Sequence, residues 1–190
     1  MILSVGESRP KHFKLGAWAI RKFEKIDHSH SFTSFRDPRL DIRKVGEARG
    51  SGGRLITNQQ FRSENEVVRI FQYEVTQETL DLIEKWLWDH LRPYSRKHLL
   101  GLLIMRIENS IYRLFDRDKL AKNRFKDGLY SLICIEMTAY ATALATGQNV
   151  PNNIEDFGLR EFHQLNYENY RKGLCKLAPD EMIRKINSNA

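Results

Sequence analysis

The chain has 190 residues, 41% of them hydrophobic and 29% charged, which is enough apolar material for one domain with a sizeable core and too much for a disordered chain. Thirty-one Lys and Arg against 24 Asp and Glu give a net charge of +7, which favours anionic partners such as nucleic acid, lipid headgroups or acidic polymer without choosing among them. With Cys134 and Cys175 the only cysteines, a disulfide framework and a four-cysteine zinc site are both excluded.

Met1 to Val5 is a short apolar run closed by Gly6 and reads as a buried strand, with Ser8-Arg9-Pro10 interrupting it. The first residues, MILSVGESRPKHFKLG, lack the long apolar region and small-residue cleavage site of a signal peptide. No stretch approaches about eighteen uncharged apolar residues, so no transmembrane segment is expected and a cytoplasmic location is the default. Leu15 to Phe23 places Leu15, Ala19 and Phe23, with Trp18, on one helical face and Arg21 and Lys22 away from it.

From Ile26 to Phe35 the period changes: His28, His30 and Phe32 alternate with Ser29, Ser31 and Thr33, the pattern of a strand with two different faces. Leu40 to Ala48 supplies a second strand containing Glu47. The Gly50-Ser51-Gly52-Gly53 cluster then returns the chain into Arg54 to Thr57. No Gly-Lys-Ser/Thr follows those glycines, so they read as a hairpin and not as a phosphate loop. Glu66 to Val75 alternates again, and the strands together predict an antiparallel meander.

After Val75 the period is helical. Thr76 caps a helix running to His90, Tyr94 to Glu108 forms a second, and Ile111 to Phe125 is a charged helical or loop insertion. Lys126 to Gly147, KDGLYSLICIEMTAYATALATG, is almost wholly apolar and holds Cys134 and Glu136. A helix apolar all round is buried. Asp127 as its cap would leave Cys134 in mid-helix, whereas Ser131 would put it in the first turn, where free N–H groups and the helix dipole activate a thiol. Gly147 marks the end, and Ile154 to Leu165 is a last amphipathic segment. The domain accordingly covers 1–168 with its insertion around 109–126, and 169–190 is a polar, basic, peripheral tail.

Taken alone, Cys134 reads as a small buried hydrophobe. A cysteine hydrolase, however, needs a thiolate, an imidazole and a polar group that orients it, and His30 and Glu47 on neighbouring strands are of the right types. The order of MILSVG, AIRKFEKIDHSHSFTSF, VGEARGSGG and LYSLICIEMTAYAT resembles the circularly permuted papain-like NlpC/P60 superfamily, in which a Ser-His strand precedes the helix that carries the nucleophilic cysteine. Ser29-His30 matches the histidine motif, Glu47 in Val-Gly-Glu-Ala the acidic third member, and Cys134-Ile135-Glu136 the usual Cys-Ser-Glu helix start, with Ile135 in place of the serine.

The resemblance implies an α+β fold, an antiparallel sheet packed against a buried cysteine-bearing helix with additional helices, and a cysteine peptidase or amidase that needs no cofactor and no metal. Cys134 would be the nucleophile, His30 the general base and acid, and Glu47 its orienting group. Ser131 becomes the favoured cap. The Cys134 N–H and Tyr94 would meet the oxyanion, with Ser29 lining the site. His28 is the competing base, and a zinc site from His28 and His30 lacks further ligands at recognisable spacing. His163 reads as a helix-surface or packing residue, and Cys175 as incidental.

Substrates implied are amides or esters, including peptidoglycan peptides and lipid acyl groups. Amide hydrolysis is preferred to lipid acyl transfer or thioester cleavage, and a phage or other intracellular setting is consistent with the missing leader. A non-catalytic basic protein attached to nucleic acid is the alternative of another class, and it is not favoured.

Overall fold

The computed structural model describes residues 1–37, 40–49, 52–91, 96–114, 134–150 and 158–188. The elements in chain order are β1 (Ile2–Pro10), α1 (Leu15–Glu24), β2 (His30–Asp37), β3 (Ile42–Arg49), β4 (Gly52–Thr57), α2 (Asn58–Glu64), β5 (Asn65–Glu74), α3 (Gln77–Asp89), α4 (Arg96–Leu114), α5 (Cys134–Thr146), α6 (Leu159–Arg171), β6 (Lys176–Leu177) and α7 (Asp180–Ser188). The fold is mixed α+β. Its six strands form one antiparallel sheet in the order β4-β3-β2-β1-β5-β6.

Several elements follow from local chemistry. The Thr76 hydroxyl accepts the Thr79 N–H at 3.1 Å and starts α3, as its sequence predicts. Gly147 follows α5 with a φ of +66°, the left-handed conformation that ends helices. Of the glycine cluster, Gly52 and Gly53 open β4 opposite Arg49 and Ala48 of β3, and residues 50–51 lie outside the described residues. In α2, which the strand-and-turn reading did not anticipate, Thr57 accepts the Gln60 N–H.

Three expectations are corrected. The first strand does not stop at Gly6; β1 continues to Pro10, accommodating a register shift between Glu7 and Ser8 against β5. Only β1 to β4 form a meander. β5 crosses back and pairs with β1, which puts β1 in the middle of the sheet and explains its continuous burial from Leu3 to Ser8.

The C-terminal residues are not a peripheral tail either. α6 runs through the expected boundary at 168, β6 extends the sheet beside β5, and Cys175, Ala178 and Ile183 are buried. Asn187 donates to the Val67 carbonyl at 2.9 Å and accepts the Val67 N–H at 3.0 Å, so its amide satisfies main-chain groups of β5. The charged insertion expected around 109–126 begins as a continuation of α4 to Leu114; its remainder lies outside the described residues.

The two sheet faces bury different clusters. Leu3, Val5, Phe35, Phe71 and Tyr73 pack against α3, α5 and α6. On the other face Phe32, Val45, Val67 and Ile70 pack against Phe61 of α2 and Ile183 of α7. α5 is buried on every side near its start, from Cys134 to Ala139, the fate that its all-round apolar character predicts. Its approach to the sheet depends on Gly46. A Cβ there would lie 2.9 Å from Thr33 Oγ1 and 3.1 Å from both Leu87 and Met137, so glycine is what lets α3 and α5 sit down on β3 beside Glu47. By contrast Leu15, Trp18 and Phe23 of α1 are largely exposed, and Ile20 turns toward the core. Among the described residues no helix is long and apolar enough to cross a membrane.

Candidate active site

The β2/β3 ladder runs from Asp37 opposite Ile42 to Thr33 opposite Gly46. Beyond it, His30 to Phe32 pair with β1, and Glu47 to Arg49 pair with β4. The side chains of His30 and Glu47 meet where the two strands separate, with His30 Nε2 2.6 Å from Glu47 Oε2. His30 is 9% exposed and Glu47 wholly buried.

Cys134, the first residue of the described α5, comes to the same place through the packing of α5 on β2 and is 5% exposed. Its thiol and the His30 imidazole lie close enough to interact, each shifting the other's pKa toward the charged form. Because Nε2 is engaged by Glu47, Nδ1 is the ring nitrogen left for the sulfur. The three residues thus stand in the order thiol, imidazole, carboxylate, drawn from three elements and more than a hundred residues of chain.

Electrostatics favours the ionised form of each. Burial opposes the imidazolium, but the Cys134 charge and hydrogen bond, together with Glu47, raise the His30 pKa from 6.5 to about 9. Burial likewise opposes ionisation of the Cys134 thiol, yet His30 and hydrogen bonds from the Ser31 N–H and hydroxyl lower its pKa below the ordinary thiol value. Glu47 is held down to about 2 against its burial by His30, Arg49 and Arg54. A thiolate held beside an imidazolium can attack an electrophilic carbon and pass a proton to the leaving group.

Sequence reasoning missed the support around this trio. Arg54, directly opposite Glu47 in the β3/β4 ladder, donates through Nε to Glu47 Oε1 at 2.8 Å. Its Nη2 bonds both Glu47 and Glu64, and Arg49 reaches Glu47, Glu64 and Asn65. The signal was present: in an antiparallel pair with Arg49 opposite Gly52, counting back two residues on one strand and on two along the other places Arg54 across from Glu47.

Ser31 is the second omission. Its hydroxyl lies 3.0 Å from Thr138 Oγ1, and Thr138 in turn bonds the carbonyls of Cys134 and Ile135, tying β2 to the first turn of α5. Ser29, the serine that the resemblance pointed to, has a buried hydroxyl with no partner among the described residues. Tyr94 and Ser131 lie outside the described residues.

His28 does not compete for Cys134. It precedes β2, is fully buried, and directs Nδ1 toward Asp27 Oδ1 at 3.0 Å and Glu7 Oε2 at 3.4 Å. The face shared by His28 and His30 in the strand reading is therefore corrected, because β2 begins only at His30. Cys175 is buried near Asn166 and Tyr73, and burial raises its thiol pKa, the reverse of Cys134.

No family model, curated protein or solved structure matches the chain.

Proposed function

We propose that the chain is a cysteine-dependent hydrolase of amide bonds, an amidase or peptidase, built on a permuted papain-like plan. The observation that carries this reading is His30 bonded to Glu47 on one side and paired with the Cys134 thiol on the other. Supporting it is the chain order, with the histidine strand and the acidic strand both preceding the cysteine helix.

In this mechanism the Cys134 thiolate attacks the carbonyl carbon, and the resulting oxyanion is met by main-chain N–H groups at the start of α5, including that of Cys134. His30 gives its proton to the departing amine as the carbon–nitrogen bond breaks, leaving a thioester on Cys134. It then takes a proton from water, which attacks the thioester and releases the acid and the thiol. Glu47, pinned by Arg54 and Arg49, holds the imidazole oriented and stabilises its charged form. Peptide-like substrates fit the resemblance best, and the net charge of +7 suits acidic ones such as cell-wall peptides.

The test is alkylation of the two thiols followed by turnover. Iodoacetamide is expected to modify Cys134 well before Cys175, and His30→Ala to slow that reaction. Purified peptidoglycan peptides should be cleaved by the native chain and not by Cys134→Ala. Equal, slow labelling of both cysteines together with no cleavage would refute the proposal, and deacylation of phospholipid vesicles without peptide cleavage would move the reading to lipid acyl chemistry.

A further inference from the structure

A second polar cluster is buried between β1, the residues leading into β2, and α6. Glu7 and His28 are fully buried, and His163, 156 residues from Glu7, closes the group from α6 with a partly exposed side chain. Glu7 Oε1 is 2.7 Å from His163 Nδ1, and Glu7 Oε2 is 3.4 Å from His28 Nδ1. One ligating atom from each of the three lies within 4.8 Å of the others.

We propose that Glu7, His28 and His163 form a binding site for a divalent transition-metal ion, with zinc the best chemical match. Two imidazoles and a carboxylate are the donor types zinc selects, at bond lengths of about 2.0–2.2 Å. Ligand atoms arranged tetrahedrally around one ion at those lengths stand about 3.3 Å apart. The 2.7 Å between Glu7 Oε1 and His163 Nδ1 needs only a small adjustment to reach that spacing, and His28 Nδ1, 3.4 Å from Glu7 Oε2, would turn toward Oε1 and exchange its Asp27 contact for the ion.

The surroundings resemble an outer shell. Arg69 Nη1 donates to Glu7 Oε2 at 2.5 Å, and its Nη2 to Asp27 Oδ2 at 3.0 Å, while Asp27 Oδ1 is 3.0 Å from His28. The Arg69 contact fixes the Glu7 carboxylate as an outer-shell partner does and leaves Glu7 Oε1 for the ion. His163, the least buried of the three, borders a surface pocket with Gln164, Tyr167, Glu168 and Arg171, which supplies an entry path. An ion here would clamp the segment entering β2 to β1 and α6 two residues before His30, making it a structural site distinct from Cys134.

The experiment uses the full chain after chelator treatment, titrated with Zn2+ by calorimetry and with Co2+ by absorption spectroscopy. Native protein and Cys134→Ser should each bind one ion, and a hundredfold excess of free Zn2+ over Kd should raise Tm by roughly 5–10 °C. His163→Ala and Glu7→Gln should weaken binding at least about tenfold and abolish the Tm rise. If Glu7→Gln fails to fold, His163→Ala, whose side chain is partly exposed, and the Co2+ spectrum of the native chain decide. Native-like affinity in His163→Ala, no binding by the native protein, or a thiolate-to-cobalt charge-transfer band lost in Cys134→Ser would overturn the assignment.

Discussion

Glu47→Gln removes one charge from the proposed site and almost no volume. The His30 pKa is raised from 6.5 to about 9 in spite of burial, a difference worth about 3 kcal/mol in favour of the imidazolium. Cys134 and Glu47 supply it together. Cys134 is the larger contributor and Glu47 the smaller, so losing Glu47 costs the charged pair on the order of 1 kcal/mol, up to roughly tenfold in the population of the reactive thiolate.

The assay is the pH dependence of Cys134 alkylation, with Cys175 in the same chain as the internal reference. Glu47→Gln should slow labelling by up to about tenfold on the acid side of the profile and converge with the native protein at high pH. The stability profile carries a second signature. A depressed carboxylate stabilises the fold above its unfolded value, so the Glu47 contribution is present above pH 4.5 and disappears as pH falls toward about 2. The raised His30 acts in the other direction, with its contribution complete below pH 6.5 and lost as pH rises through about 9. The variant should flatten both slopes. Labelling and stability profiles that superimpose on those of the native protein would refute the linked-charge account.

The two serines of β2 and its approach should separate. Ser31→Ala is expected to raise the Cys134 thiol pKa and slow its labelling less than Glu47→Gln does, since the Ser31 N–H remains; Ser29→Ala should leave labelling and stability within about 0.5 kcal/mol of native, its hydroxyl having no partner to lose. Gly6→Ala, which would stabilise an ordinary strand, should destabilise by about 1–3 kcal/mol in urea unfolding, because the new Cβ would sit 2.2 Å from the Phe32 ring. Ile183→Ala should cost about 2–4 kcal/mol in the same measurement, as expected if α7 is part of the core; a loss under about 0.5 kcal/mol would restore the peripheral tail.

Residues close in sequence determined what local physics can reach. The unbroken apolar character of α5 dictated its burial, Thr76 its neighbour's start, Gly147 the end of α5, and the alternation around Val67 to Tyr73 the strand β5. The types and order of His30, Glu47 and Cys134 were also visible, since the chemistry of a thiol, an imidazole and a carboxylate does not depend on knowing where they meet. Tertiary structure decided the meetings. Pairing of β5 with β1 across the sheet carried the first strand past Gly6 to Pro10, and an antiparallel edge with unsatisfied groups drew in β6 and Asn187. Whether Ser29 or Ser31 faces the thiol depends on where β2 begins, and a strand's faces exchange with every residue of shift. His163 could be joined to Glu7 only by α6 packing across the sheet, because 156 residues of chain carry no local pattern that specifies their contact.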